Sequence, residues 1–319
     1  MVKDLISIIV PVYNGEKGIG TCLDSLIAGD YKNIEIIVVN DGSKDNTKNI
    51  LEEYKVKDSR IKPFHIENGG VSSARNYGIE KSEGEFIMFI DGDDTLDKEA
   101  LAEMYSLMEE DVSFAHFGMR KITEDGKPLD WQKKLKRGVI EGENDIIAAF
   151  FRKDIMSTAC AKLYRRELIG DTRFDTKFAV GEDELFSFFI CKKAKKVAIT
   201  DSIYYNYIEN ADSVMRKNFT EKHFQALSVM DVQIENVKDN KALLAEALLA
   251  DTIRCNELMW KIFDTKKMYE KFDFLRNRMM ERKSLYLSSK DITSKEKLLF
   301  ILLWLMPKLY YNLKLKQNC

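Results

Sequence analysis

The chain is short of the residues that announce most cofactor and scaffold chemistries. Its three histidines, at 65, 116 and 223, stand far apart, so neither a nucleophile–histidine triad nor an all-histidine metal centre finds support. The five cysteines, at 22, 160, 191, 255 and 319, have no zinc-type or redox-type spacing. Free thiols in a reducing cytoplasm fit them better than a disulfide framework. No Gly-x-Gly-x-x-Gly follows the first strand-like run and no Gly-Lys-Ser/Thr occurs, which removes the main support for a dehydrogenase or a P-loop ATPase. Charge of one sign is lacking too: 50 basic against 52 acidic residues leave −2, and no basic field points to nucleic acid. The apolar run Leu298–Met306 is nine residues long. As a helix at ~1.5 Å per residue it covers only about half of a ~30 Å hydrocarbon core. The run Leu5–Val10 near the amino terminus stops at Pro11 and reads as a first strand, not as a targeting signal.

What the chain does have is carboxylates at the end of an apolar strand. Phe86 to Asp94 reads Phe-Ile-Met-Phe-Ile-Asp-Gly-Asp-Asp. Five apolar residues in a row suit a strand buried on both faces, and open α/β sheets bind ligands outside the carboxyl ends of such strands. In an extended chain Asp91 and Asp93 point to one side, and Gly92 lets backbone approach closely. Hard oxygen donors favour Mg2+ or Mn2+, bound by one or two carboxylates together with substrate phosphates.

The surrounding pattern alternates. Strands are expected at Ile6–Val10, Ile34–Val39, Lys62–Ile66 and Glu85–Ile90, with helices at Glu16–Ile27, Thr47–Tyr54 and Ser72–Lys81. Single helices between strands imply right-handed crossovers and an open, mainly parallel α/β sheet flanked by helices. Two further turns fall on the same sheet edge as Asp91: Pro11-Val12-Tyr13-Asn14 and Asn40-Asp41-Gly42-Ser43. There Tyr13 offers a stacking face and Asp41 an acceptor for an imide N–H, as in uracil. Gly69 and Gly70 precede a helix that carries Arg75 in its opening turns, an arrangement suited to phosphate.

The ordered set of residues 9–16, 38–45, 68–76 and 89–94 resembles glycosyltransferase family 2 with the GT-A fold. Ala161 to Ile169, Phe174 and Gly181 to Phe186 resemble the acceptor half of bacterial polysaccharide and cell-envelope members. The resemblance covers residues 5 to 215. It implies a GT-A domain over 1–218, with a nucleotide-sugar half at 1–95 and an acceptor half at 96–218, followed by a helical region at 219–319. It implies that Pro11, Val12, Tyr13, Asp41, Arg75, Asp91, Gly92 and Asp93 hold a nucleotide sugar, a UDP-sugar before others. Asp93, with Asp91, would bind Mn2+ or Mg2+. Asp183 takes the position of the base that deprotonates an acceptor hydroxyl in an inverting displacement, and Glu182 that of an acceptor-orienting residue. Ser213 and Arg216 stand where many relatives close over the diphosphate. Two alternatives remain open at this point: transfer to a polyisoprenyl phosphate, which needs no base at Asp183, and a catalytically silent nucleotide-sugar-binding scaffold.

After Phe219 the pattern turns helical, at Lys222–Lys238, Lys241–Phe263 and Lys266–Lys283. Thr293 and Glu296 fit a capping box ahead of the run at 298–306. Trp304, Tyr310, Tyr311 and Lys295, Lys297, Lys308, Lys314 and Lys316 suit either a peripheral anchor at the inner face of the plasma membrane, next to a lipid-linked glycan, or packing on the same domain or a second subunit.

Overall fold

The structure, a computed structural model, describes residues 1–209, 219–290 and 293–306, without the side chains of 296 and 304. Ser213, Arg216, the residues from 307 onward and the Glu296 half of the capping box lie outside the described residues. The chain divides into two compact units, 1–213 and 214–319.

The first unit is a sheet with helices against it. Its strands are β1 (Val2–Val12), β2 (Ile34–Asp41), β3 (Ile61–Ile66), β4 (Gly84–Phe89), β5 (Thr95–Leu96), β6 (Phe114–Ile122), β7 (Pro128–Lys133), β8 (Gly138–Glu141), β9 (Lys162–Arg165) and β10 (Lys196–Ile208). The helices are α1 (Ile19–Ala28), α2 (Thr47–Lys57), α3 (Val71–Lys81), α4 (Ala100–Ser106), α5 (Glu143–Phe151), α6 (Arg166–Ile169) and α7 (Glu182–Lys193). The strand order is β3-β2-β1-β4-β9-β6-β10-β5, with β7 on β6 and β8 on β10. The ladders β3-β2-β1-β4 are parallel, as the alternating pattern predicts. Beyond β4 the pairing turns antiparallel at β9, and β6 then runs parallel to β10. β2 is buried along its whole length and β1 from Ile6 onward, which is why both read as near-continuous apolar runs.

The chain leaves β1 through α1 toward β2 on one side, and leaves β4, on the other side of β1, toward β5 and β6 beyond it, so the connections from these two neighbours run in opposite directions. The crevice outside the carboxyl ends of β1 and β4 is therefore the topological switch point. Beneath it Phe89 packs edge-on against Tyr164, Phe174 and Phe186, and Phe174 stacks on Phe186 with centroids 4.0 Å apart. This aromatic floor locks β4, the 174 loop and α7 together just below the acids.

Two expectations in this unit need correction. α1 begins at Ile19 rather than near 16, because 15–18 form a turn. Residues 91–94 are not extended: the Asp94 N–H donates to the Asp91 carbonyl at 3.0 Å, closing a turn, so the same-side argument for Asp91 and Asp93 does not apply. Beyond its first turn α7 buries Leu185, Phe186, Ser187, Phe188, Ile190 and Cys191.

The second unit is helical, with helices at Gln225–Val237, Lys241–Thr265, Phe272–Met280, Lys283–Ser288 and Ser294–Leu305. The expected helix over 266–283 is broken, as Lys266 and Met268 take positive φ and a short 3-10 turn at Tyr269–Lys271 precedes the restart at Phe272. Its core gathers Phe219, Leu258, Met259, Ile262, Leu275, Phe300 and Leu303. Phe300 and Leu303 thus pack within their own unit, while Leu298, Leu305 and Met306 are exposed. Asp251 is fully buried between Arg278 at 2.9 Å and Arg282 at 3.0 Å. No helix among the described residues is long and apolar enough to cross a membrane.

Candidate active site

The site is built around one buried cation. Arg75, in α3, is 3% exposed. Its Nη2 donates to Asp91 Oδ1 at 2.8 Å, and its Nη1 to Asp183 Oδ1 at 2.5 Å and Glu182 Oε1 at 3.4 Å. The guanidinium carbon lies 5.2 Å from the centre of the Phe174 ring. Asn76 clamps Phe174 from behind, accepting from its N–H at 2.8 Å and donating to its carbonyl at 2.9 Å. Arg75 therefore joins the end of β4 to the start of α7. Three carboxylates hold its two terminal nitrogens, while Nε is buried with no hydrogen-bond partner among the described residues.

Helix α7 starts at Gly181, whose φ of +93° favours glycine, and places Glu182, Asp183 and Glu184 in its first turn, where the helix dipole stabilises negative charge. Asp183 Oδ1 belongs to Arg75. Oδ2 has only the Thr158 hydroxyl at 3.3 Å and the Ala159 N–H at 3.5 Å, so this oxygen is the more available one. Burial raises the Asp183 pKa, the Arg75 cation opposes that shift and Asp91 adds to it. Glu182 is pushed up to about 7, by burial first and the Asp183 charge second. Two carboxyl groups held above their ordinary range beside one arginine mark a candidate proton-handling site.

The 91–94 turn sorts its acids by burial. Asp94 is enclosed, accepting from the Tyr205 hydroxyl at 2.7 Å and the Ile208 N–H at 2.9 Å, and its pKa is raised by burial and then by Asp91 and Asp93. Tyr205 also accepts from the Asp91 N–H at 3.3 Å. Asp93 is exposed, and partial desolvation followed by the Asp91 charge raises its pKa. Gly92 is where it is because of space: a Cβ there would lie 3.1 Å from the Pro11 carbonyl oxygen and 3.2 Å from Val12 Cβ. Among the described residues no cluster of three or more acidic, histidine or cysteine side chains forms a self-sufficient metal cage. Asp91 and Asp93 alone fit the other mode, in which a hard cation completes its shell with substrate phosphate oxygens.

The side of the crevice expected from sequence to hold the nucleotide is a pair of loops tied to each other. The Asn14 N–H donates to Ser43 Oγ, Gly15 to Thr47 Oγ1 and Glu16 to Asp45 Oδ2, while Asn14 Oδ1 and Glu16 Oε2 accept from the N–H groups of Lys44 and Asn46. Pro11 and Val12 are buried at the end of β1, and Tyr13 is 52% exposed above the crevice. Asp41 is buried and bound into the 68–70 loop: it accepts from Gly69 N at 2.7 Å, Gly70 N at 2.9 Å and Asn68 Nδ2 at 3.2 Å. With three of about four lone-pair positions used, its first role is to hold that loop, with one position to spare.

Sequence reading missed Thr158, Ala159 and Tyr205, which carry no motif, and the roles of Asn68 and Phe174. It also gave no role to Lys162, which is buried and donates to the carbonyls of Met156 and Thr158. Burial holds Lys162 down at about 8. His116, isolated in sequence, is structural: one ring nitrogen faces the Ala161 carbonyl at 2.8 Å and the other accepts from Met156 N at 3.1 Å.

Comparison with known proteins bears on the family and the fold. The pattern of the family described as Glycosyl transferase family 2 matches residues 7–173. EpsH of Bacillus subtilis (strain 168), whose name assigns it to the glycosyltransferases, is 31% identical over 83% of this chain and 80% of its own. Three further curated relatives are longer, and the chain spans 62%, 34% and 32% of their lengths. Among solved structures, S. aureus TarS 1-349 in complex with UDP-GlcNAc has a TM-score of 0.66 at 23% identity, over 96% of this chain and 89% of that one. The mannosyltransferase PcManGT from Pyrobaculum calidifontis, in complex with GDP-Man and Mn2+, has a TM-score of 0.56 at 14% identity, over 95% of this chain and 87% of that one.

Proposed function

The chain belongs to glycosyltransferase family 2, and from that premise we propose that it transfers a sugar from a UDP-sugar to a hydroxyl of a cell-envelope, capsular or exopolysaccharide glycan, inverting the anomeric centre with the help of Mn2+ or Mg2+. The observation that carries this reading is the Arg75 bridge, which sets Asp91 of the donor-side turn and Asp183 at the α7 terminus on one guanidinium. Support for a UDP-sugar comes from the UDP-GlcNAc bound by TarS, and for a divalent cation from the Mn2+ bound by PcManGT.

In this reading the base of Tyr13's stacking contact sits over the crevice, and the 13–18 and 42–47 loops hold it as one clasp. The acceptor hydroxyl approaches Asp183 from the side of Oδ2, the oxygen not taken by Arg75. As the acceptor oxygen forms its bond to the anomeric carbon, its proton passes to Asp183 and the bond from that carbon to the diphosphate oxygen breaks with its electron pair on the diphosphate. A cation held by Asp93 and Asp91 would offset the charge growing on that leaving group. Arg75 keeps Asp183 aimed and opposes the rise in its pKa that burial causes, which favours the ionised form a base needs. Glu182, at about 7, orients the acceptor hydroxyl.

The test is UDP release from UDP-GlcNAc, UDP-glucose and UDP-galactose by the full chain with cell-envelope glycan as acceptor, with Mn2+ and with EDTA, and NMR of the new linkage. Turnover of one donor, stopped by EDTA and giving the inverted anomer, is the expected result. Turnover unaffected by EDTA, or retention of configuration, would sink the metal or the inversion part respectively. Absence of any turnover would favour the silent scaffold.

A further inference from the structure

Three strands carry an aromatic and charged patch to the sheet edge that holds the acids. β9 is antiparallel to both β4 and β6, so β6 and its parallel neighbour β10 end on the same edge as β4. Near those ends Tyr207 of β10 is opposite Lys121 of β6. On the other side of β6, Gln132 is opposite Arg120 and Pro128 opposite Ile122, which brings Trp131 of β7 beside Lys121. The Lys121 ammonium lies 5.4 Å from the centre of the Trp131 ring and 5.8 Å from that of Tyr207. It is also 3.4 Å from Glu209 Oε1.

This patch is continuous with the site. Tyr205, two residues before Tyr207 and on the same face of the strand, holds Asp94 and the Asp91 N–H, and the Ile208 N–H holds the other oxygen of Asp94. In the strand order β6 lies two places beyond β4, on the side away from β1 and Tyr13. At ~4.8 Å per strand that is a lateral offset of about 10 Å from β4. Trp131 leaves 43% of its surface in water, although it sits on a strand with a cation over its ring.

We propose that Trp131, Lys121, Tyr207 and Glu209 form an acceptor subsite, in which a pyranose ring of the glycan chain lies on the indole face while Lys121 and Glu209 hydrogen-bond its hydroxyls. The inference rests on the glycosyltransferase reading. An exposed aromatic face buries the C–H face of a sugar ring, and a neighbouring ammonium and carboxylate supply the donor and acceptor that hydroxyls need. The donor's base has its own aromatic at Tyr13, on the opposite side of the acids, so the subsite falls to the acceptor. Its place two strands from β4 suits a ring behind the one that receives the sugar.

The experiment uses the full chain with chitohexaose as the probe, read by saturation-transfer NMR, with UDP and Mn2+ thermal shifts run in parallel. Wild type should show transfer to ring C–H protons, Trp131→Ala should bind about tenfold more weakly, as for loss of an aromatic anchor, and Trp131→Phe should regain most of that loss. The UDP shift should be the same in all three proteins. Chitohexaose binding that is absent in wild type, or unchanged in Trp131→Ala, overturns the subsite. A missing UDP shift in wild type strikes the donor reading instead, and leaves the subsite to be judged by the NMR arm.

Discussion

At the Arg75 guanidinium three carboxylates share one cation, leaving an excess of two negative charges if all are ionised. The chain answers with protons: burial raises Asp183, and burial together with the Asp183 charge raises Glu182 to about 7. Because the base must be ionised to act, a raised pKa means activity is lost as pH falls through it. kcat/KM should therefore fall on an acid limb that lies above the ordinary carboxylate range. Burial and the Asp91 charge push that limb up and the Arg75 cation holds it back; a limb within the ordinary carboxylate range would assign it to another group. Asp183→Asn keeps the shape and a partner for Arg75 but cannot accept the proton. It should lower kcat by about 10²–10⁴-fold while the UDP and Mn2+ thermal shift persists, and full activity in this variant would transfer the base role elsewhere. Arg75 itself is a poor probe of chemistry, because removing it strands three carboxylates, two of them largely buried, at a cost of about 3–5 kcal/mol for a broken buried pair.

Among the elements, those with simple burial were the legible ones. β1, β2 and β4 are buried on both faces, so their sequences are plain apolar runs, and the crossovers between them fix a parallel order. β7 and β8 left no such signal, as they are largely exposed edge strands whose residues are set by solvent rather than by a core. The turn at 91–94 was read as extended because its residue types allow both, and only the Asp94 to Asp91 backbone bond decides. Asp41 shows how a loop is written into a strand end. Its carboxylate satisfies two successive N–H groups, and a Cβ at Gly42 (φ +72°) would lie 2.8 Å from the Asn68 nitrogen. Asp41→Ala removes the charge-assisted bonds that hold the exposed Gly69 and Gly70 N–H groups and should destabilise the first unit by about 1.5–3 kcal/mol and weaken UDP binding, with Asp41→Asn intermediate in both. Urea denaturation followed by circular dichroism, beside UDP titration, measures the pair of effects. Unchanged stability in the alanine variant would show that the loop stands without this anchor.

For the whole molecule the candidate site is an assembly of distant segments, and that is the limit of what one sequence can display. Arg75 reaches Asp183 across 108 positions and Tyr205 reaches Asp94 across 111. The motif acids were visible because each ends a strand or opens a helix, whereas Thr158 and Tyr205 are chosen by packing alone. The two units also bear different loads. The acids, the clasped loops and the aromatic floor all fall within 1–213, so nucleotide binding should act on the stability of that unit. A ligand that binds only the native state stabilises it by about 2.7 kcal/mol at a hundredfold excess over Kd. UDP with Mn2+ should accordingly raise the thermal midpoint of the first unit by several degrees, UDP alone by less, and GDP or dTDP by less again. Asp93 is exposed at the crevice, with its Cα 3.2 Å from where a Cβ on Gly18 would lie, and its carboxylate makes no side-chain hydrogen bond or ion pair among the described residues, so Asp93→Ala should melt like wild type without ligand. The same variant should lose the Mn2+-dependent part of the UDP shift, because its carboxylate is the donor offered to the cation. An undiminished Mn2+ effect in Asp93→Ala would remove Asp93 from the metal shell and move that role to Asp91, which would then have to exchange Arg75 for the cation.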